Sequence, residues 1–256
     1  AEQMTQKLIE WYAAKRRILP WREDPTPYHV WISEIMLQQT RVDTVKGYYA
    51  RFLASCPDIR ALAEAPEDVY MKLWEGLGYY SRVRNMHKAA EEIMTVYGGE
   101  MPGSYAQLLG ITGIGPYTAA AIASIAFGEK VPAVDGNLLR VFARLSAYPE
   151  NIKTEKARKA AAAYYHRWMP ESVSIVADPH DFYTPGSFNQ ALMDLGATIC
   201  LPNRAPLCAD CPLQNFCTAH ARREETAYPL VPEKKARRIE DRTVFLIHDA
   251  GRIVIG

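Results

Sequence analysis

The strongest constraint on the fold of this 256-residue chain is a group of four cysteines within 18 residues. Cys200, Cys208, Cys211 and Cys217 follow the spacing C-x7-C-x2-C-x5-C, and the fifth cysteine, Cys56, lies far from them in the sequence. Four thiolates in one short loop suit a tetrahedral zinc ion or a cubane iron–sulfur cluster. Zinc sites usually pair two short C-x2-C units, and this loop has only one, so its spacing favours a [4Fe-4S] cluster. Cys56 is predicted to be a small core residue.

About the first 220 residues carry the apolar periodicity of α-helices. Apolar residues make up 48% of the chain, which is enough for a sizeable core. The sequence therefore predicts an all-α body. Helices are predicted at residues 3–17, 28–39, 42–54, 66–75, 81–97, 104–109, 116–126, 136–147, 154–168 and 187–199.

Charge and hydropathy exclude two broad classes of protein. Lysine and arginine total 30 against 29 acidic residues, a formal net charge of +1, so a polycation that coats nucleic acid is not expected. No apolar run approaches the roughly 18 residues of a membrane span, and the charged residues 1–17 contain no signal-peptide core. We expect a cytoplasmic, bacterial-type protein without membrane association.

The sequence changes character after Ala221. Residues 220–242 mix both charges densely around two prolines and are interpreted as a linker. Residues 243–248 and 252–255, separated by Asp249-Ala-Gly251, have the pattern of a β-hairpin. Because a lone hairpin is marginally stable in water, this one is interpreted as the start of a β domain.

A glycine-rich turn, Gly113-Ile-Gly115, stands directly before a predicted helix that starts at Pro116. Such a turn exposes backbone N–H groups at a helix N-terminus, where they suit a DNA phosphate of any sequence. A plain helix–turn–helix corner would need the same glycines for tight packing. Both interpretations stay open on this segment alone.

Two carboxyl groups are candidates for general acid–base catalysis. Glu34 lies inside a nearly continuous apolar stretch, where burial would raise its pKa and make it a general acid near neutral pH. A buried glutamate bonded to a neighbouring helix is the structural alternative. Asp135 precedes the helix that starts at Gly136 and would cap it, so its functional interpretation depends on the partner Glu34.

Six motifs stand out along the chain. They are Trp31-Ile-Ser-Glu-Ile-Met-Leu-Gln-Gln-Thr40, Gly76-Leu-Gly-Tyr-Tyr80, the Gly-Ile-Gly turn, Val134-Asp-Gly-Asn137, Phe188-Asn-Gln-Ala-Leu192 with Asp194-Leu-Gly196, and the cysteine loop. Taken together, these motifs resemble the MutY-type adenine DNA glycosylases, a branch of the helix-hairpin-helix superfamily that also contains endonuclease III. The resemblance runs from about Leu8 to His220, and the motifs occur in the family's order.

The resemblance implies a two-lobed, all-α helix-hairpin-helix glycosylase fold with DNA crossing the cleft between the lobes. Residues 26–129 would form a six-helix barrel with the hairpin, and residues 1–25 and 130–223 an iron–sulfur cluster lobe. Residues 224–242 would be an interdomain linker. Residues 243–256 would be the first hairpin of a truncated Nudix-like C-terminal domain.

The implied reaction is hydrolysis of the N-glycosidic bond of adenine mispaired with 8-oxoguanine or guanine, after base flipping. Glu34 would protonate adenine N7, and Asp135 would stay ionised and stabilise the oxocarbenium-like sugar or bond to it briefly. The apolar helix and the helix N-terminus are expected to push the two pKa values apart. Bifunctional relatives carry a lysine where this chain has Tyr117, so a monofunctional enzyme is expected.

Further roles carry over by position. The resemblance assigns the reacting centre to Glu34, Asp135, Tyr117 and Asn137; the adenine to Trp21, Arg22 and Gln190; and other DNA contacts to Gln39, Thr40, Tyr79, Gly113, Gly115 and Thr118. Gln39 and Tyr79 match residues that enter the base stack near the orphaned partner base. Taken singly, each would pass for an ordinary polar cap or core aromatic.

The chain departs from the family at several points. The family's cysteine spacing is C-x6-C-x2-C-x5-C, so one extra residue within 201–207 is expected to loosen that loop and leave four ligands. Thr112 replaces a common proline, and residues 172–185 look like an insertion. Only the first hairpin of the β domain that helps to recognise 8-oxoguanine is present, so either the chain is truncated or its preference for that base is weaker.

Two other functions compete with adenine removal. Some superfamily members with tyrosine at the Tyr117 position act on thymine or uracil mismatches, but the Gln-Gln-Thr run and Gln190 favour adenine. A non-catalytic iron–sulfur DNA-binding protein would not need both Glu34 and Asp135. The expected partner is double-stranded DNA with a mispaired adenine, bound by a nucleoid-associated monomer. Docking of a clamp or mismatch-repair protein on the linker stays open.

Overall fold

The computed structural model describes residues 2–171, 182–232, 240, 248–249 and 252–253. Within residues 2–171 and 182–232 the fold is all-α, as predicted. The helices are α1 (Glu2–Lys15), α2 (Pro27–Leu37), α3 (Val42–Ser55), α4 (Ile59–Glu64), α5 (Glu67–Trp74), α6 (Ser81–Val96), α7 (Tyr105–Leu108), α8 (Pro116–Phe127), α9 (Gly136–Ser146), α10 (Glu155–His166), α11 (Pro185–Thr198) and α12 (Thr218–Ala221). Short 3-10 helices lie at Pro20–Arg22, Cys208–Asp210 and Gln214–Phe216.

Side-chain caps set where the helices of the site begin. Thr26, Asp135, Thr154 and Thr184 each accept a hydrogen bond from a backbone N–H in the first turn of α2, α9, α10 and α11. Such caps satisfy N–H groups that have no partner inside the helix. The cap at Thr184 moves the start of α11 to Pro185, two residues before the predicted start.

One predicted helix boundary was wrong, and one short helix was missed. The helix predicted at residues 28–39 ends at Leu37, because Gln38 leaves helical geometry and Gln39 adopts a left-handed backbone with φ of 60°. The short helix α4 was not predicted, although Asp58 caps it by accepting from the Ala61 N–H at 2.7 Å.

The buried apolar residues form two main cores. The first runs from Leu19 to Ala126 and includes Cys56, which is 1% exposed, as expected of a core residue. The second joins α1 to residues 138–213. Helix α2 packs on α8 in the first core, and α11 packs on α1, α8 and α9, so α11 touches helices of both cores.

The C-terminal hairpin is present in part. Strands β1 (His248–Asp249) and β2 (Arg252–Ile253) pair antiparallel, with His248 opposite Ile253. The other residues of the predicted hairpin, and residues 172–181 of the predicted insertion, lie outside the described residues. None of the helices described is long and apolar enough to span a membrane.

Candidate active site

A cleft of about 720 Å³ is lined by residues that belong to helices of both cores. Its size is in the range of small-molecule sites in proteins. Every predicted catalytic residue and every predicted adenine contact lines it: Trp21, Arg22, Glu34, Tyr117, Asp135, Asn137 and Gln190. Of the other predicted DNA contacts, Gln39 and Thr40 also line the cleft, whereas Tyr79, Gly113, Gly115 and Thr118 are not part of its lining.

Glu34 lies in α2 and is 6% exposed. Burial raises the pKa of its carboxyl to about 7, and the nearby Asp135 adds to that rise. The Tyr117 hydroxyl donates to Glu34 Oε2 at 2.6 Å and acts in the opposite direction, as does Arg22. The carboxyl is therefore near half-protonation at neutral pH, which suits a general acid.

Asp135 caps α9 and is held by two donors. Its Oδ1 accepts from the Leu138 N–H at 2.7 Å, and its Oδ2 accepts from Asn137 Nδ2 at 2.8 Å. Burial raises the pKa of Asp135, while these hydrogen bonds and Arg140 lower it. The predicted contrast between the carboxyls thus takes another form: burial raises both pKa values, and the hydrogen bonds that oppose it are more numerous at Asp135.

The predicted adenine contacts are fixed by other polar groups. Arg22 donates through Nη1 and Nη2 to the two oxygens of Asp194, at 2.8 and 3.0 Å. Gln190 Oε1 accepts from the Tyr12 hydroxyl at 3.2 Å. Trp21 is buried and packs edge-on against Tyr49, with ring centroids 5.5 Å apart. These side chains are held in place before any ligand arrives.

The glycine turn precedes α8 as predicted. Gly113 has a φ of 76°, and a Cβ there would lie 2.9 Å from Asn85 Cβ, so both conformation and space require glycine. Gly115 is the N-cap of α8 and makes no side-chain cap, which leaves the first N–H groups of the helix to other partners. Thr118 is buried, and its hydroxyl accepts from Gln38 Nε2 at 3.5 Å, so its side chain faces the protein.

The four clustered cysteines line one cavity, next to Arg144 of α9. All four thiols are free of disulfides. Arg144 Nη1 donates to Cys200 Sγ at 3.2 Å. The seven-residue segment between the first two cysteines closes through the Leu207 N–H, which donates to the Ile199 carbonyl at 2.9 Å. All four cysteines thus line the cavity despite the extra residue, and this donor set fits a thiolate-bound metal group.

A model of the HhH-GPD superfamily of base excision DNA repair proteins matches residues 32–167. This stretch is more than half of the chain and contains Glu34, the glycine turn and Asp135. The chain belongs to this superfamily.

Curated relatives of this HhH-GPD protein carry the name adenine DNA glycosylase, which confirms the resemblance seen in the sequence. The Mus musculus protein is 42% identical over 224 residues, covering 84% of this chain and 41% of the relative. The protein of Buchnera aphidicola subsp. Baizongia pistaciae is 40% identical over 217 residues, covering 84% of this chain and 58% of the relative. The chain thus spans about two fifths of the mouse relative's length.

Solved structures confirm the helix-hairpin-helix glycosylase fold. A thermostable thymine-DNA glycosylase superposes with a TM-score of 0.73 at 26% identity, covering 85% of this chain and 95% of that chain. An endonuclease III trapped in a covalent intermediate with DNA gives a TM-score of 0.67 at 19% identity, covering 86% of this chain and 95% of that chain. The second likeness concerns the fold alone.

Sequence reasoning missed the buried charges that brace the HhH-GPD site. Asp194 is 1% exposed and also binds Arg17, whose Nη2 lies 2.6 Å from its Oδ1. Arg140 of α9 donates to Asn137 Oδ1 at 2.9 Å and to the Cys200 carbonyl at 2.8 Å, so it joins the Asp135 network to the cysteine loop. The sequence signal that could have revealed these contacts is a charged residue inside an apolar helical segment, because a buried charge needs a partner.

Two more polar residues beside the cysteines were not predicted. His220 and Glu225 border the same cavity, and their side chains contact each other. Together with Cys208 they offer ligand atoms within 4.8 Å of one another. Residues 225–228, interpreted from the sequence as linker, also meet α9 here, because Arg144 Nε donates to the carbonyls of Glu225 and Tyr228 at 2.9 and 3.1 Å.

Proposed function

We propose that this chain is the catalytic region of a monofunctional adenine DNA glycosylase of base excision repair. Its substrate would be adenine opposite 8-oxoguanine or guanine, flipped out of the duplex before the bond is cut. The observation that carries the proposal is the pair Glu34 and Asp135, which line one cleft from α2 and from the start of α9. The names of the mouse and Buchnera relatives support adenine as the base removed.

The environments of the two carboxyls support distinct roles. Glu34, with a pKa of about 7, would donate its proton to N7 of the flipped adenine, so that adenine leaves as a neutral base. As the glycosidic bond breaks, positive charge develops on the sugar, and ionised Asp135 would stabilise it. Water then adds to the sugar carbon and yields an abasic site. Glu34, now ionised, would accept a proton from that water.

The composition of the cleft supports hydrolysis without strand cleavage. An amine nucleophile would form a Schiff base with the sugar and lead to cutting of the backbone. No lysine is present among the described residues that line the cleft. At the position where bifunctional relatives carry lysine, Tyr117 donates its hydroxyl proton to Glu34.

Binding of the duplex would use the start of α8. The N–H groups that follow Gly115 are not capped by a side chain, and a helix N-terminus attracts phosphate. These contacts position DNA without reading its sequence. The exposed Arg158 also lines the cleft and adds positive charge to it.

The four cysteines would hold a [4Fe-4S] cluster. The fit rests on four cysteines that line one cavity and supply the thiolate ligands that such clusters require. When bound, the cluster would cross-link the two ends and the middle of residues 200–217 to one another, beside Arg144. Analysis for iron, acid-labile sulfide and zinc decides the matter: four iron atoms per chain support the cluster, and one zinc without iron contradicts it.

A thymine or uracil mismatch glycosylase is the second candidate. The observation in its favour is the structural likeness to a thymine-DNA glycosylase, which is 26% identical to this chain. The adenine-named relatives are more similar in sequence, at 42% and 40% identity. We therefore keep adenine as the proposed base.

A single-turnover assay on short duplexes tests both candidates. The duplexes hold A opposite 8-oxoguanine, A opposite G, T opposite G, or U opposite G. We expect release of adenine from the first two and strand breaks only after alkali treatment. Release of thymine or uracil without adenine would establish the second candidate, and no release from any duplex would leave a DNA-binding protein without glycosylase activity.

A further inference from the structure

Two exposed turns at the edge of the first core share an uncommon backbone geometry. Gln39 has a φ of 60° and Tyr79 a φ of 49°, values that side-chain-bearing residues seldom adopt and that the surroundings must enforce. Tyr79 is 63% exposed, which is unusual for a large aromatic ring in an otherwise packed lobe. Gln39 also lines the cleft.

A single guanidinium group contacts the backbone of both turns. Arg82 Nη1 donates to the carbonyls of Ile35, Met36 and Gln38, at 2.8, 3.2 and 2.6 Å. Its Nη2 donates to the carbonyls of Leu77 and Gly78, at 3.2 and 3.1 Å. One nitrogen therefore holds the turn that carries Gln39, and the other holds the turn that carries Tyr79.

The same side chain also meets the aromatic ring of the second turn. The guanidinium carbon of Arg82 lies 5.7 Å from the centroid of Tyr79 and 5.2 Å from that of Trp74, distances typical of cation–π contacts. Trp74 Nε1 donates to the Gly78 carbonyl at 3.1 Å and so stabilises this turn. The ring of Tyr79 is thereby oriented while most of it stays exposed.

We propose that Arg82 is a positioning residue that sets the distance between the two turns, so that Gln39 and Tyr79 enter the DNA duplex together. An exposed, oriented aromatic ring is suited to stack on a base of any identity. The proposal rests on the proposed function, because it assumes that the cleft receives a flipped base. Arg82 itself does not need to touch DNA.

Arginine is required here for a geometric reason. Its planar fork presents donors in two directions from one rigid group, whereas the ammonium of lysine is a single point on a flexible chain. Lysine at position 82 would keep the charge but could not span both sets of carbonyls. Loss of the link would let the turns relax separately, and a shift of about 1 Å can cost as much as 100-fold in rate.

The test compares Arg82→Met and Arg82→Lys with the matched control Arg84→Met on the same helix. Arg84 is exposed and pairs only with Glu67 among the contacts described, at 3.4 Å. Stacking is measured without any excision, as the fluorescence of 2-aminopurine beside a tetrahydrofuran abasic analogue in a duplex. Excision of adenine opposite 8-oxoguanine is measured separately under single-turnover conditions.

Both Arg82 variants are expected to lose at least half of the fluorescence change and to slow excision roughly tenfold or more, while Arg84→Met behaves as the parent protein. The loss should not add to that of Tyr79→Ala in the double variant, since both changes remove the same stacking. Additive losses, or an unchanged fluorescence response in a folded Arg82→Lys protein, would overturn the proposal. If Arg82→Met does not fold, Arg82→Lys carries the same test.

The two readouts separate this inference from the proposed function. A parent protein that alters 2-aminopurine fluorescence through Arg82 but releases no base contradicts the proposed activity and keeps the positioning role. A parent protein that releases adenine as fast as its Arg82 variants do contradicts the positioning role and keeps the proposed activity.

Discussion

The two carboxyl groups of the cleft are the same chemical group in two different settings. Glu34 stands inside an apolar helix of the first core, and Tyr117 is the one hydrogen-bond donor to it among the described residues. Asp135 stands at a helix N-terminus in the second core and accepts from a backbone amide and a side-chain amide. Burial raises the pKa of both carboxyls, and the comparison teaches that the donors aimed at a carboxylate set how strongly this rise is opposed.

The largest effect is expected from Glu34→Gln, which tests whether Glu34 is the general acid. Glutamine keeps the size of the side chain and can still accept from the Tyr117 hydroxyl, but it has no proton to give to adenine. We expect single-turnover excision to fall by about 10³-fold, in the range found for general acids, with duplex affinity unchanged. Rapid quench measures the rate, and titration of a labelled duplex measures the affinity.

Glu64→Gln is the matched control for that change. Glu64 is exposed on α4 and pairs with Arg60 on the surface, so its replacement should alter neither quantity. An excision rate in Glu34→Gln within a few-fold of the parent rate, that is, far from the ~10³-fold loss expected of a general acid, would remove Glu34 from the role of acid.

Asp135→Asn should give the next largest effect and tests whether the negative charge of Asp135 stabilises the transition state. Asparagine can still accept from the Leu138 N–H, and it caps helices about as well as aspartate, so the melting temperature should hardly change. Loss of the negative charge should slow excision by about 10²-fold, the cost of removing one electrostatic stabiliser of a transition state. Rates and thermal melts on the same preparations separate the two effects.

Asp135→Ala supplies the contrast, because alanine removes the cap as well as the charge. We expect the free energy of unfolding to fall by about 1 kcal/mol relative to Asp135→Asn. Equal activity in the aspartate and asparagine proteins would show that capping is the whole role of this residue.

The sequence predicted the parts of this site that follow from local pattern. The apolar residues around Glu34 predicted that its side chain is buried, and the position of Asp135 before Gly136 predicted that it caps the helix. The pairing of Asp194 with Arg22 could not be derived in the same way, because it joins residues 172 positions apart. The separation of the core into two clusters also depends on packing between distant helices, which periodicity does not report.

The contacts of Arg82 also could not be predicted from local sequence pattern. It follows Tyr79 closely in the chain and looks like an ordinary exposed residue in the first turn of a helix. Its contacts with Ile35, Met36 and Gln38 arise only once α2 and α6 are in place. Because Arg82 binds backbone carbonyls, the side chains of its partners carry no pattern from which these contacts could be predicted.

A smaller effect is expected from Gly196→Ala, which disturbs the donors of Asp135 without touching either carboxyl. A Cβ at Gly196 would lie 2.7 Å from Asn137 Cβ, too close for any real contact, so Asn137 must shift and its hydrogen bond to Asp135 is disturbed. We expect about tenfold slower excision and a loss of 1–3 kcal/mol in the free energy of unfolding, as for other overpacked sites.

The control is Gly47→Ala in the exposed α3 helix, where the nearest atom to the new Cβ is the end of the Arg51 side chain, at 3.5 Å. Alanine there should raise the free energy of unfolding by roughly 0.5–1 kcal/mol through helix propensity. If Gly196→Ala is destabilised but excises adenine at the parent rate, Asn137 does not support Asp135 in the reaction.

The smallest effect is expected from Tyr117→Phe, which removes the one donor that opposes the raised pKa of Glu34. The general acid works in its protonated form, so excision should decline as the pH rises through the pKa of Glu34, about 7. The Tyr117 hydroxyl stabilises the ionised form, so its loss raises the pKa and moves the alkaline limb of the pH–rate profile to higher pH. The hydrogen bond is stronger to the ionised carboxylate than to the neutral carboxyl, and a difference of about 1 kcal/mol corresponds to a shift of less than about one pH unit.

Single-turnover rates between pH 5 and 9 measure the position of this limb. Tyr97→Phe, at the end of α6 and outside the lining of the cleft, should leave the limb where it is. A limb that moves to lower pH in Tyr117→Phe would mean that the phenol favours the protonated carboxyl. The hydrogen bond from Tyr117 would then add to burial in raising the pKa of Glu34, whereas the hydrogen bonds to Asp135 oppose burial.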